Sequence, residues 1–296
     1  MNEYPTFFYS DGHKLDASFY LPSGTPKQDA PVVIACSGFL GLKNIHPERF
    51  ARWFSREGYV TFGFDYRGFA ASEGEPGHVV LEEQVRDIRH AIAFVRSHEH
   101  GRGRPVVLVG WGMAGGLVLN AVQAATPVAG VVAFNGFYDA MRVQHAHRGE
   151  DGVATFLTDV ERWEATTAWN GKPERVNPFD IYPLDPITRG YVDDVLYKNP
   201  DFGPKVSTEM AASLLAHALE RNLSHLASTP LLILHGDRNA LHPPTEAQRL
   251  HEVYPGPKEL RWVENAGHTE WMLDDHPTYQ EAMRAMQGWV ESLPRA

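Results

Sequence analysis

One cysteine, Cys36, stands in a chain of 296 residues. An internal disulfide framework is therefore excluded, and a reducing compartment fits. Positive charge is in short supply: 27 Lys and Arg against 37 Asp and Glu give a formal net charge of −10. That balance argues against a nucleic-acid or anionic-membrane partner, since both favour a basic face. No apolar stretch approaches the roughly 20 residues of a membrane span. Met1-Asn2-Glu3-Tyr4-Pro5 lacks a positive region leading into an apolar core, so no signal peptide is expected and the expected location is cytoplasmic. Internal repeats, low-complexity tracts and blocks of like charge are also missing. What remains is ordinary globular composition, 43% hydrophobic and 22% charged, at a length that allows one large α/β domain with an insertion or two small ones.

Strand and helix patterns alternate over most of the chain. Thr6 to Tyr20 reads as a hairpin around Ser10-Asp11-Gly12, and Pro31 to Cys36 as a short, fully apolar strand. Pro47 to Glu57 has helical spacing with Gly58 as its stop, and Tyr59 to Phe64 is the next strand. Val79 to Ser97 places Val85, Ile88, Ile92 and Val95 on one helical face. A strand from Val106 leading into the Gly110–Gly115 turn and a strand at 130–134 follow, then the rhythm stops between 135 and 228, a stretch rich in Trp, Tyr, Pro and Asp. It resumes with a strand at 230–234, a helix near 245–253, a strand at 259–263 and a terminal helix from about Pro277 to Leu293. Continuous apolar strands alternating with helices predict an α/β fold with a mostly parallel, doubly wound sheet. The core is expected at 1–134 and 229–296, with 135–228 as a lid over the carboxyl ends of the strands, where ligands of open α/β sheets bind.

The stretch Val106-Val107-Leu108-Val109-Gly110-Trp111-Gly112-Met113-Ala114-Gly115-Gly116 is the most informative. An apolar strand breaks into a turn of small residues and enters a helix, the layout of the G-x-S-x-G nucleophile elbow. At the nucleophile position stands Gly112. The spaced glycines do not make a dinucleotide site: that fingerprint belongs near the start of a βαβ unit and needs an acid at the end of the next strand, where Val131-Val132-Ala133-Phe134 offers none.

With four further segments in the same order, the chain resembles the α/β-hydrolase family over nearly its whole length outside the lid. Ser37-Gly38-Phe39 stands where members carry His-Gly-Phe or His-Gly-Gly, and Asp65-Tyr66-Arg67-Gly68-Phe69-Ala70-Ala71-Ser72 is similar to D-x-R-G-x-G-x-S. His235-Gly236-Asp237-Arg238-Asn239 resembles the H-G-x-x-D segment, and Ala266-Gly267-His268 the Gly-His that carries the histidine. The resemblance implies an α/β-hydrolase fold with a helical lid, His268 as general acid and base, and oxyanion-hole amides at Phe39 and Met113. The acid position holds Asn239, Asp237 lies two residues early, and Asp139 occupies another place where members put the acid. An asparagine can orient an imidazole through its side-chain carbonyl, with less support for an imidazolium than a carboxylate gives.

Without a hydroxyl at Gly112 the acyl-enzyme route is closed at that position, and three readings stay open. A non-covalent, cofactor-independent catalyst would hold water or a substrate hydroxyl in the vacant slot, with His268 as base and the amides stabilising an enolate or oxyanion. Such a site suits C–C cleavage, cyclisation, elimination (lyase chemistry) or water-mediated hydrolysis of a carbonyl-bearing aromatic or polyketide-like small molecule of secondary metabolism. A catalytically silent binding protein is the second reading, as in the N-myc downstream-regulated group. An esterase-like serine hydrolase whose serine was replaced at Gly112 is the third.

Ser37, Trp111, Tyr138 and Asp139 are expected around the substrate pocket, with some of Trp163, Trp169, Tyr182, Tyr191 and Tyr197 facing it. Ser37 reads foremost as a turn hydroxyl bonded to local backbone, Cys36 as a small buried hydrophobe, and Asp65 and Arg67 as braces for loops. The pairs His98/His100 and His145/His147 have no third ligand cluster nearby, so no metal is expected. The expected partner is a small-molecule substrate; an oligomer is not readable.

Overall fold

Strands without polar alternation have to be covered on both faces, and this requirement organises the molecule. A computed structural model describes residues 1–38, 40–203 and 205–294. The hairpin is β1 (Asn2–Ser10) and β2 (His13–Leu21); β3 (Val32–Cys36), β4 (Val60–Phe64), β5 (Val106–Trp111) and β6 (Gly130–Phe134) follow. Two-residue strands β7 (Arg175–Val176) and β8 (Val206–Ser207) pair in a ribbon of their own, and β9 (Leu231–Gly236) and β10 (Lys258–Val263) close the series. The main sheet runs β1-β2-β4-β3-β5-β6-β9-β10, parallel from β4 to β10, with the hairpin added antiparallel at one edge. Every residue of β3, β4, β5, β6 and β9 is buried, as their continuous apolar runs demand.

Helices α1 (His46–Arg56), α2 (Leu81–Ser97) and α3 (Ala114–Ala121) follow β3, β4 and β5 in turn. The sheet alternation divides the core. Val33, Ala35, Val109 and Leu232 pack with Phe50 and Phe54 of α1; Ile34, Leu108 and Ile233 pack on the other face with Ile88 of α2 and Leu117 of α3. Helix α8 (Pro244–Val253) joins the α2/α3 side through Leu250, and α9 (Pro277–Ser292) joins α1 through Met283 and Met286. This is the α/β-hydrolase fold, as expected.

Between β6 and β9 lie α4 (Ala140–Asn170), α5 (Pro178–Ile181), α6 (Pro186–Asp194) and α7 (Glu209–Ala216). Asp139 caps α4 by accepting from the Arg142 amide, and the helix breaks at Gly149, where φ is 64°. Asn177 and Asp185 cap α5 and α6, each with a proline in the first turn. Arg142 ties this segment to the core by pairing with Glu246 of α8, whose carboxylate also accepts the amides of Tyr138 and Asp139. Among the described residues no helix is long and apolar enough to cross a membrane.

Register decides where chemistry can occur. Cys36 pairs with Gly110, Trp111 with Phe134, and Phe134 with Leu234, so the chain leaves β3, β5, β6 and β9 along one edge. Ser37, Gly112, Asn135 and the segment after Gly236 consequently gather at the carboxyl ends of the parallel strands.

Candidate active site

The turn after β5 is tight enough to need glycine. Gly112 has φ +62°, donates its N–H to the Phe134 carbonyl (3.0 Å) and accepts from the Gly115 amide (2.9 Å). A Cβ added to Gly112 would lie 3.5 Å from Nε2 of His268, at ordinary van der Waals distance. The apex therefore points at the imidazole with nothing among the described residues wedged between. Met113 begins the α3 turn with helical dihedrals. Its amide belongs to the unsatisfied set at a helix start, where an anionic oxygen is favoured.

His268 is buried, on the loop after β10, and Asn135 holds that loop. The Asn135 side-chain amide donates to the carbonyls of Gly267 (3.2 Å) and His268 (3.1 Å) while its oxygen accepts from the Gly236 amide (2.8 Å). Asn135 has φ +50°, a conformation asparagine tolerates better than most residues. Sequence reasoning passed it over; the one signal available was an Asn directly after a buried strand.

Asn239, not Asp237, is the residue beside the imidazole. Its Nδ2 lies 3.3 Å from Nδ1 of His268, while its Oδ1 accepts from the His242 amide (2.9 Å). The expectation that Asn239 works through its carbonyl is thus corrected, because the backbone of His242 already occupies that oxygen. Asp237 is exposed and accepts from the Ala266 amide, bracing the loop rather than the ring. Asp139 is spent as the α4 cap.

Three more imidazoles crowd the ring. His242 packs edge-on to His268 at 4.6 Å between centroids, donates from Nδ1 to the Asn135 carbonyl (2.5 Å), and receives the Tyr182 hydroxyl at Nε2. His235 donates from Nε2 to the His242 carbonyl (2.8 Å). His46 packs at a tilt of 38° against Trp111, 4.0 Å between centroids, and the indole in turn lies 4.7 Å from His268. Burial holds the His268 pKa well below its ordinary value, and the neighbouring imidazoles push the same way. Burial likewise lowers His46 and His242 to about 3. These rings are neutral at physiological pH.

A cavity of about 630 Å³, counted to its mouth, opens on this cluster. Its floor is Ser37, Trp111, Gly112, Met113 and His268, and its roof comes from the segment between β6 and β9, with Phe179, Tyr182, Tyr191 and Phe202. Both residues flanking Gly112, Trp111 and Met113, line the cavity. Among the described residues the Ser37 hydroxyl pairs with Nδ1 of His46 at 3.1 Å rather than with local backbone, a partner nine residues away that no motif announces. Tyr138 is corrected out of the pocket: its ring packs in the core and its Oη lies against Gly136. Asp139 does not line the cavity either. Of the other aromatics, Trp163 is core, while Trp169 and Tyr197 are exposed. Phe39 lies outside the described residues. Among the described residues no three His, Cys, Asp or Glu side chains converge to hold a metal.

Comparison with known proteins gives the family. The description serine aminopeptidase, S33, matches residues 27–274. The chain belongs to that family. It is 27% identical over 261 residues to an uncharacterised 31.7 kDa protein of the traX-finO intergenic region of Escherichia coli, covering 86% of this chain and 90% of the other. It is 24% identical over 275 residues to the polyketide transferase ATR5 of Stachybotrys chlorohalonatus, covering 87% and 86%. Among solved structures, DcsB in complex with its substrate analogue superposes with a TM-score of 0.81 at 19% identity, over 99% of this chain and 100% of that one. The α/β-hydrolase fold is thereby shared over nearly the full length.

Proposed function

We propose that this S33-family member is a cofactor-independent enzyme performing non-covalent chemistry on a carbonyl-bearing, apolar small molecule. The observation that carries this reading is the open space between the bare apex of Gly112 and Nε2 of His268, at the floor of an apolar cavity. No hydroxyl is offered where an acyl-enzyme would form, yet the helix start at Met113 and the imidazole are retained. A substrate oxygen in the slot would meet His268 as its acid/base group and the Met113 amide as an oxyanion donor. The aromatic roof and the likeness to a polyketide transferase support a flat, polyketide-like substrate held by apolar contact. The reaction is C–C cleavage, cyclisation, elimination or water-mediated hydrolysis, carried out by a soluble protein on a small molecule.

The deciding experiment compares wild type and His268→Ala on a panel of polyketide-like esters, thioesters and β-dicarbonyl compounds. Turnover should fall by a factor on the order of 10² or more in the variant. Equal turnover would take His268 out of the chemistry, and cavity binding with no turnover by either protein would point to a silent binding member of the fold.

A further inference from the structure

Hydrogen bonds around Asn239 determine which nitrogen of His268 carries the proton. The Asn239 oxygen is fixed by the His242 amide, a group that can only donate, so its NH2 must face the two rings at 3.3 Å, His235 and His268. His235 cannot accept there, because its Nε2 already donates to the His242 carbonyl at 2.8 Å. The Asn239 N–H is left with Nδ1 of His268, which must then present a lone pair. In a neutral ring the proton sits on Nε2, the nitrogen that faces Gly112.

We propose that Asn239 holds His268 as the Nε2–H tautomer, so that the slot beside Gly112 is a receptor for a neutral carbonyl or enolate oxygen, read by an imidazole N–H together with the Met113 amide. This rests on the catalytic reading above and sharpens it. A triad acid binds Nδ1–H and frees Nε2 as a base; here the arrangement is inverted, and the imidazole stabilises negative charge as it gathers on oxygen. A neutral histidine acting in this way through its N–H is a known device for polarising a carbonyl. The titratable groups acting on the ring are imidazoles, namely His242, His235, His46 and His147. The carboxylate of Glu270, two residues on, is turned to Gly267. Asn239 is on this account a positioning residue.

The test needs no substrate to begin. In the 15N-histidine-labelled full-length protein at pH 7.5, the resonances lost in His268→Ala should be one pyridine-type Nδ1 and one pyrrole-type Nε2. Asn239→Asp should exchange the two types, because a carboxylate accepts from Nδ1–H. A second arm uses p-nitrophenyl butyrate. Gly112→Ser alone should stay silent for lack of a base, while Gly112→Ser combined with Asn239→Asp should hydrolyse it at least about 10²-fold faster. A wild-type spectrum with the proton on Nδ1, or equal hydrolysis by the single and double variants, would overturn the proposal. Loss of turnover in His268→Ala cannot imitate either result, so this inference and the catalytic reading can fail separately.

Discussion

Gly112 faces the Nε2 edge of His268 across a gap that one side-chain carbon would bridge, 3.5 Å from the Cβ position to the nitrogen. Space is therefore no obstacle to a side chain at the apex; the backbone is. At φ +62° an L-residue pays roughly 1–2 kcal/mol that glycine does not. Gly112→Ser should fold, keep its near-ultraviolet circular dichroism, and lose stability by about that amount in urea titrations. A loss above about 4 kcal/mol would mean that the slot is filled. Ready ester hydrolysis by this single variant would favour a serine hydrolase that had merely lost its nucleophile.

A second expectation concerns Arg67, in the loop after β4. Its guanidinium reaches Asp87 of α2 at 2.6 Å, and Asp11 (2.9 Å) and Ser10 (3.1 Å) of the edge hairpin. Asp87 is fully buried and Arg67 is its cation, so removing Arg67 strands a buried carboxylate, whereas Arg67 without Asp87 keeps Asp11 and Glu83 (3.3 Å). Arg67→Met should destabilise by about 3–5 kcal/mol, with the His268 nitrogen resonances unmoved because the contacts run to the hairpin and α2. An effect under about 1 kcal/mol would mean that water already reaches the pair.

The fold was legible because burial on both faces forces continuous apolar strands, and because five local motifs occur in a fixed order. Gly112, Met113 and His268 could be placed for the same reason: each belongs to a short turn whose backbone is dictated locally. What stayed hidden depends on contacts between distant segments. The Ser37–His46 pair joins the end of β3 to the start of α1, and neither residue carries a local signal. Asn135 works by reaching residues more than 100 positions away. Asn239 was identified, but the direction of its amide follows from the His242 backbone, which a linear motif does not encode. Tyr138 and Asp139 were misplaced because nearness in sequence to a strand end does not say which way the chain turns next.

Acid should unfold this protein through its buried imidazoles. Burial lowers His46 and His242 to about 3, His217 and His235 to about 4, and His268 well below its ordinary value. A histidine depressed in the folded state contributes stability that is complete above its unfolded pKa, near 6.5, and is lost as pH falls toward the folded value. Each such ring costs about 1.4 kcal/mol per pH unit across that window. Asp65, raised to about 7 by burial, works the opposite way, since its folded state binds a proton that the unfolded chain releases above pH 4. Those five rings against Asp65 leave a net uptake of roughly three to four protons on unfolding at pH 5.5, from which Glu246, also raised by burial, subtracts. Urea midpoints should hold level from pH 8 to 7 and drop steeply below 6, with calorimetry in buffers of different ionisation enthalpy counting the protons. Unfolding at pH 5.5 with an uptake below about one proton would show that these rings are hydrated or already charged in the native protein.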